Sequence, residues 1–280
     1  MSTSGMKVYL ITGVNSGLGK AFAETALNAG HSVIGTVRHQ QAQAEFERSV
    51  PGRAHAVVLD VTDFGAVEPV IAAAMRQVGP VDVLINNAGY GHEGILEESP
   101  LDELIKQFNV NVFGAVAVIK AVLPVMRARR SGHIINITSM AGLTTFPGVA
   151  YYSGSKFALE GISATLAQEV RSFGVHVTAV APGSFRTDWA GRSMIRSGRA
   201  IADYNEVFDP VRRARSTKSG KQSGDPAKAA QVVLDLVEKD NPPVHLLLGN
   251  DAIQVVRDRL TELLNEISAW EVISTSTDFT

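Results

Sequence analysis

The chain has 280 residues, 45% of them hydrophobic and 19% charged, and a formal net charge of −2, so it reads as a soluble globular protein with no general attraction for nucleic acid or an anionic membrane. It contains no cysteine, which excludes disulfides, thiolate nucleophiles and zinc–thiolate sites and suits a cytoplasmic setting. Met1 to Lys7 has neither the basic region nor the apolar region of a signal peptide. The longest apolar run, Val110 to Met126, is interrupted by Asn111, Lys120 and Pro124 and is short for a membrane span.

Val8-Tyr9-Leu10-Ile11 is an apolar run without helical period, and it feeds Thr12-Gly13-Val14-Asn15-Ser16-Gly17-Leu18-Gly19 and a helix closed by Gly30. A strand, a glycine turn and a helix in that order suit a diphosphate. Glycine lets the backbone turn and approach closely, and the free N–H groups of the helix N-terminus face the negative charge. The second strand, Ser32 to Val37, ends in Arg38, where a fold preferring NAD places an acid against the ribose 2′-hydroxyl. Arg38 instead suits the 2′-phosphate of NADP, or is a solvated surface residue. Strand three is predicted over Ala54–Leu59, a helix over Phe64–Gln77, and strand four over Val81–Ile85, closed by Asn86-Asn87-Ala88-Gly89. Asp60, just past strand three, either meets an adenine edge or supports the next helix start. His92 and Glu93 either border the pocket or lie in a surface loop, the more ordinary reading.

Ser99-Pro100-Leu101-Asp102 predicts a capped helix start, and the helix runs to about Arg129. Its middle is apolar almost all round, so it needs cover on a second side, from a homo-oligomer or from another layer of the same subunit. Asn111 within it must be paired or functional. Strand five, His133–Ile137, delivers Ser139 to its carboxyl end. The next helix, about Tyr151 to Ser172, opens with Tyr152-Ser153-Gly154-Ser155-Lys156. Positions i and i+4 share a face, and an ammonium about 4–5 Å from a phenolate stabilises it by about 3–4 kcal/mol at an effective dielectric of 20, or roughly 2–3 pKa units. Small residues Ala158, Gly161, Ala164 and Thr165 mark a face of this helix for close packing against a partner. Strand six, His176–Ala181, ends at Pro182-Gly183. Residues 186–224 read as an irregular lid with aromatic content. Its nine Lys/Arg against four Asp/Glu fit a solvated face better than a receptor for an acidic substrate. A helix to about Lys239, strand seven at Val244–Leu248, a helix over about Ala252–Ser268 and a loose tail from about 270 complete the chain. The alternation predicts one α/β domain over 1–280, a three-layer doubly wound parallel sheet of seven strands. There is no internal repeat or metal-ligand cluster.

From Val8 to about Leu248 these motifs, in this order, resemble those of the short-chain dehydrogenase/reductase family, in its shorter branch. The stretch around Pro182-Gly183-x-x-Arg186-Thr187-Asp188-Trp189 is somewhat similar to hydroxysteroid and retinol dehydrogenases and to bacterial oxidoreductases. The resemblance implies a catalytic tetrad of Asn111, Ser139, Tyr152 and Lys156. It implies a nicotinamide dinucleotide held by Gly13, Asn15, Ser16, Gly17, Leu18, Gly19, Asp60, Val61, Asn87, Ala88, Gly89, Pro182, Gly183 and Thr187 together with Tyr152 and Lys156; Arg38, at a position where the family varies, points to NADP rather than NAD. In the implied mechanism a hydride passes between the nicotinamide and a substrate carbon while Tyr152 passes a proton at the substrate oxygen. Ser139 holds that oxygen, Lys156 lowers the Tyr152 pKa and binds the ribose, and Asn111 holds a relay water. The expected substrate is a small, apolar alcohol or carbonyl compound and the expected assembly a homodimer or homotetramer. Epimerisation or dehydration on the same scaffold, and a non-catalytic NADP-sensing regulator, are the rival readings.

Overall fold

The computed structural model describes residues 5–191 and 193–279. Met1–Ser4, Arg192 and Thr280, which the single-domain, lid and tail expectations include, lie outside them. The chain alternates strand and helix: β1 (Val8–Thr12), α1 (Gly17–Asn28), β2 (Ser32–Val37), α2 (Gln40–Ser49), β3 (Ala54–Val58), α3 (Phe64–Val78), β4 (Val83–Asn86) and β5 (Gly91–Glu93). Then come α4 (Leu101–Phe108), a π-helical segment (Asn109–Gly114), α5 (Ala115–Arg129), β6 (Gly132–Ile137), α6 (Ala150–Val170) and β7 (Val175–Pro182). The chain continues with β8 (Met194–Arg196), α7 (Asn205–Lys218), α8 (Pro226–Val237), β9 (His245–Leu248) and α9 (Asn250–Thr275).

Seven strands form one parallel sheet in the order β3-β2-β1-β4-β6-β7-β9, the doubly wound arrangement expected. Successive side chains of a strand face opposite ways, and β1 shows the consequence. Tyr9 and Ile11 join an apolar layer with Phe22 of α1 and Val233 of α8, while Val8 and Leu10 join the opposite layer with Ile71 of α3 and Val122 of α5. Burying such side chains contributes about 1.5–3 kcal/mol each. Chain order reverses at β1, whose neighbours are β2 and β4, and ligands bind such sheets in the crevice at the carboxyl ends beside that reversal.

Five features differ from the sequence reading. Helix α2 was not foreseen, because none of its residues is buried and it therefore carries no apolar stripe. Ser99 is not the cap of α4: Pro100 occupies that position, and the Ser99 hydroxyl donates to the Ile95 carbonyl at 2.7 Å. The stretch 186–224 is not irregular but holds β8 and the 14-residue α7. The end of the chain is not loose from Trp270, since α9 continues to Thr275. Finally, no other layer among the described residues covers the outer side of the long helix: Val118, Val122 and Met126 of α5 are buried, whereas Leu101, Ile105 and Phe113 are exposed. This helix, Leu101–Arg129, is long and apolar enough to cross a membrane, but its buried side is part of the core around the sheet.

Candidate active site

The glycine turn is shaped by what surrounds it. Gly13 and Gly17 have positive φ, at 73° and 56°, and a Cβ on Gly19 would lie 2.2 Å from the Gly13 carbonyl oxygen and 2.3 Å from Nδ2 of Asn87. That contact is tight because Asn86-Asn87-Ala88-Gly89 clips onto the end of β1. Asn87 Nδ2 donates to the Thr12 and Gly13 carbonyls at 2.9 and 3.2 Å, and the Asn87 and Ala88 N–H groups donate to the Thr12 hydroxyl, each at 2.9 Å. No side chain caps the start of α1 at Ser16, so its first N–H groups remain available to an anion. Ser16, Gly17 and Leu18 line a cleft of about 500 Å³ that continues past Asn87 and Gly89 to Ser139, Tyr152 and Lys156. Pro182, Gly183 and Thr187 line it as well. Thr187 sits above Gly17, whose added Cβ would lie 3.8 Å from the threonine Cβ. Positive-φ glycines, a cradle that a Cβ would fill and an uncapped helix start suit a dinucleotide diphosphate.

At the inner end, Ser139 leaves β6 and accepts the Ala141 N–H at 3.1 Å. Tyr152 and Lys156 stand one turn apart on α6 and both are buried. The Tyr152 phenol faces the Ser139 and Trp189 side chains, and the indole ring lies 5.2 Å from the phenol ring. The Lys156 ammonium donates to the Ile137 carbonyl at 2.9 Å and lies 5.8 Å from the Tyr152 ring centroid. Asn111 lies in the π-helical segment, an expansion often found at functional sites. Its amide clamps one residue: Oδ1 accepts the Tyr90 N–H and Nδ2 donates to the Tyr90 carbonyl, both at 3.1 Å, and Nδ2 also donates to Ser155 Oγ at 3.1 Å. The structure thus brings all four tetrad candidates to the carboxyl edge of β4 and β6.

A family model described as short chain dehydrogenase matches residues 7–196. The chain belongs to the short-chain dehydrogenase/reductase family. It is 37% identical over 269 residues to Oxidoreductase BOA17 of Botryotinia fuckeliana, covering 96% of this chain and 98% of that protein. It is 37% identical over 245 residues to a 3-ketodihydrosphingosine reductase of Bacteroides thetaiotaomicron, covering 87% and 88%. The crystal structure of a short-chain dehydrogenase from Streptomyces avermitilis superposes with a TM-score of 0.91 at 40% identity, covering 98% of this chain and 100% of that one. The protein is an NAD(P)-dependent dehydrogenase/reductase of this family.

The electrostatics of this short-chain dehydrogenase/reductase differ from the sequence expectation for the Tyr–Lys pair. Burial pushes the Tyr152 phenol up to about 12, and the hydrogen bonds to Ser139 and Trp189 pull the other way without cancelling it. Burial also lowers the Lys156 ammonium to about 8, opposed by the charge of Glu160. Among the chain's own groups, removal from water outweighs the attraction that the four-residue spacing suggested. The Asn111 amide bonds to Tyr90 and Ser155, which ties it to the loop after β4 and to α6.

Arg38, Asp60 and Val61 lie outside the cleft, just beyond the carboxyl ends of β2 and β3. Arg38 is exposed and Val61 is buried. Asp60 Oδ1 accepts from the Thr62 N–H at 2.9 Å and its hydroxyl at 2.7 Å. Burial works against ionisation there, but the Thr62 bonds and the charge of Arg38 hold the carboxyl below its ordinary value. Asp60 thus ties the turn that leads to α3, while Asp63 caps that helix by accepting the Ala66 N–H at 3.2 Å. Asn15 is exposed beside the glycine turn.

Three features escaped sequence reasoning. Glu160, one turn beyond Lys156, is buried, accepting from Thr138 Oγ1 at 2.5 Å and pairing with His245 Nδ1 at 2.8 Å; the Lys156–Glu160 spacing was its available signal. Asp251, at the start of α9, accepts the Ser184 N–H at 2.8 Å and packs where a Cβ on Gly183 would be. The third is the network of His92 and Glu93, which are buried in β5 beside β8 and not in a surface loop; Glu93 lines the cleft, the other reading that the sequence left open. Their isolation in sequence hid partners about 100 residues away.

Proposed function

We propose that this enzyme interconverts a ketone or aldehyde and the corresponding alcohol on an apolar small molecule, with NADP as cofactor and Tyr152 as general acid/base. Bound NADP supplies or accepts the hydride. The observation that carries the reading is the Tyr152 phenol, buried in the cleft, facing Ser139 and one helical turn from Lys156. Ser139 orients the substrate oxygen by hydrogen bonding. A phenol held at about 12 is protonated near neutrality and can donate to the substrate oxygen when a carbonyl is reduced. As the oxygen takes the proton, the Lys156 ammonium lies close enough to stabilise charge left on Tyr152 and, on the cofactor side, to hold a ribose hydroxyl. Asn111 positions this end of the site through Tyr90 and Ser155. The glycine turn with Asn15, Ser16 and Leu18 holds the diphosphate. Asn87, Ala88 and Gly89, and Pro182 through Thr187, border the nicotinamide side. Arg38 meets the 2′-phosphate, with Asp60 and Val61 beside the adenine.

The reading also takes 5–279 as one domain and 186–224 as a cover over the substrate, because Trp189, Met194 and Val211 from this stretch line the cleft. The exposed apolar face made by Ile105, Phe113 and Phe157, beside exposed Gly161 and Thr165, supports a homodimer or homotetramer. The lack of cysteine suits the cytoplasm. The test is a screen of ketones and aldehydes followed by NADPH absorbance, with NADH in parallel. Tyr152→Phe should lower kcat by about 10²–10⁴-fold while nucleotide binding persists. Near-normal turnover in that variant sinks the assignment.

A further inference from the structure

Part of the basic excess between 186 and 224 faces the cleft: Arg196, Arg215 and Lys218 line it, whereas Arg186, Arg213 and Lys221 are exposed and do not. On α7, Val211, Ala214, Arg215 and Lys218 recur at the i, i+3, i+4, i+7 spacing of one helix face, and all four line the cleft. Across from them Glu93 is 2% exposed. Its Oε1 lies 3.2 Å from Nε of Arg196 and 3.4 Å from Nε of Arg212, and its Oε2 lies 3.4 Å from Nη1 of Arg215. Arg215 is further fixed by donating to the Pro147 carbonyl at 2.7 Å.

A buried carboxylate needs a partner, but one guanidinium satisfies that need. Arg212 and Arg215 of α7 both approach this one carboxylate, which leaves one positive charge of the helix in surplus. Lys218 adds another on the cleft wall, which Asp188 also lines. Both Glu93 oxygens are engaged by guanidinium groups, so an ammonium group would have to compete with them for Glu93. Near Tyr152 the cleft has apolar walls, with Phe146, Val149 and Trp189 packed around the phenol and Met194 also in the lining.

We infer that the substrate is an amphipathic anion: an apolar chain with its oxo or hydroxyl group at Tyr152 and an acidic head, carboxylate, sulfonate or phosphate, seated on Arg215 and Lys218. This deepens the oxidoreductase reading and rests on it. A neutral chain leaves the cationic wall without its counterion, and an amine meets charge of its own sign.

Two experiments separate the inference from the reading beneath it. In the first, quenching of Trp189 reports binding in a Trp270→Phe background, since Trp270 is on α9, away from the cleft lining. The probes are an alkyl carboxylate, alkyl sulfate, primary alcohol and alkylammonium of equal, medium chain length, each below its micellar concentration. Both anions should bind about tenfold or more tightly than the alcohol, the scale of one charge-assisted hydrogen bond, and the ammonium most weakly. Arg215→Met with Lys218→Met should erase this order, and salt should erode it. Exposed Lys218→Met alone, expected to weaken the anions and not the alcohol, serves if the double variant fails to fold. In the second, medium-chain oxo acids and their methyl esters are compared as substrates with NADPH. The acids should show the higher kcat/KM, through KM, and the acid-to-ester ratio should collapse in the variants. Alcohol or ammonium binding as tight as the anions, or a preference that survives the substitutions, overturns the inference. Ester turnover without anion preference overturns it while leaving the oxidoreductase reading standing. Anion binding retained in a protein that reduces no carbonyl compound overturns that reading instead.

Discussion

Lys156→Met should make the protein more stable while disabling it. The ammonium is buried, and the lowering from 10.5 to about 8 means that its charged form costs the fold roughly 3 kcal/mol, at about 1.4 kcal/mol per pKa unit. Methionine nearly matches the aliphatic stem in volume, so no large cavity forms. One loss offsets the gain, the bond to the Ile137 carbonyl, worth about 1 kcal/mol; the attraction to Glu160 is already contained in the lowered value. The net expectation is a variant about 1–2 kcal/mol more stable near neutrality. The pH dependence follows from the direction of the shift. Below about 8 lysine is protonated in both folded and unfolded chains, and the burial cost is present in full. Above it the folded protein sheds the proton first, and the cost disappears as the pH approaches 10.5, the ordinary lysine value. Urea unfolding of wild type and variant, without nucleotide, near pH 7 and near pH 10 measures this directly. A variant less stable than wild type near pH 7, or a gain that does not shrink at high pH, refutes the reasoning.

Other outcomes follow from the same site. Glu160→Gln removes the charge that supports protonated Lys156, so the alkaline limb of carbonyl reduction should move about one unit toward neutral pH; an unmoved limb counts against the Glu160–Lys156 coupling. Gly19→Ala places a methyl 2.2 Å from the Gly13 carbonyl and should cost about 1–3 kcal/mol and weaken dinucleotide binding, read by thermal shift with and without NADPH. Arg38→Ala should raise the KM for NADPH about tenfold and leave that for NADH unchanged, as the loss of a charge-assisted phosphate contact requires. Equal use of both nucleotides by wild type, unchanged in the variant, removes the case for NADP.

The main sheet and the catalytic edge were legible in the chain. Strand positions follow from short apolar runs buried on both faces, and the glycine turn from a backbone that must bend where Asn87 closes on it. The pairing of Tyr152 with Lys156, and not of Tyr151, follows from one helical turn; Tyr151 instead donates to the Ser99 carbonyl at 2.8 Å. These are local facts, fixed by spacing of a few residues. What was missed depends on contacts that spacing cannot express. Helix α7 has a polar outer side and one face turned to the cleft, so its pattern was lost in a stretch rich in charge.

Tertiary structure alone decided the electrostatics. Sequence proximity placed an ammonium beside a phenol and suggested mutual stabilisation. Burial of both groups, set by Trp189 above and the sheet edge below, reversed the direction expected for the phenol. Glu93 gives the same lesson from the other side: a solitary acid after β4 acquired three arginines from β8 and α7 only when the chain closed over the cleft. The amino-acid order therefore determined which groups could react and where the dinucleotide turn lies. The folded environment determined their protonation and the charge a substrate meets, because desolvation and long-range ion pairing are properties of three-dimensional neighbours.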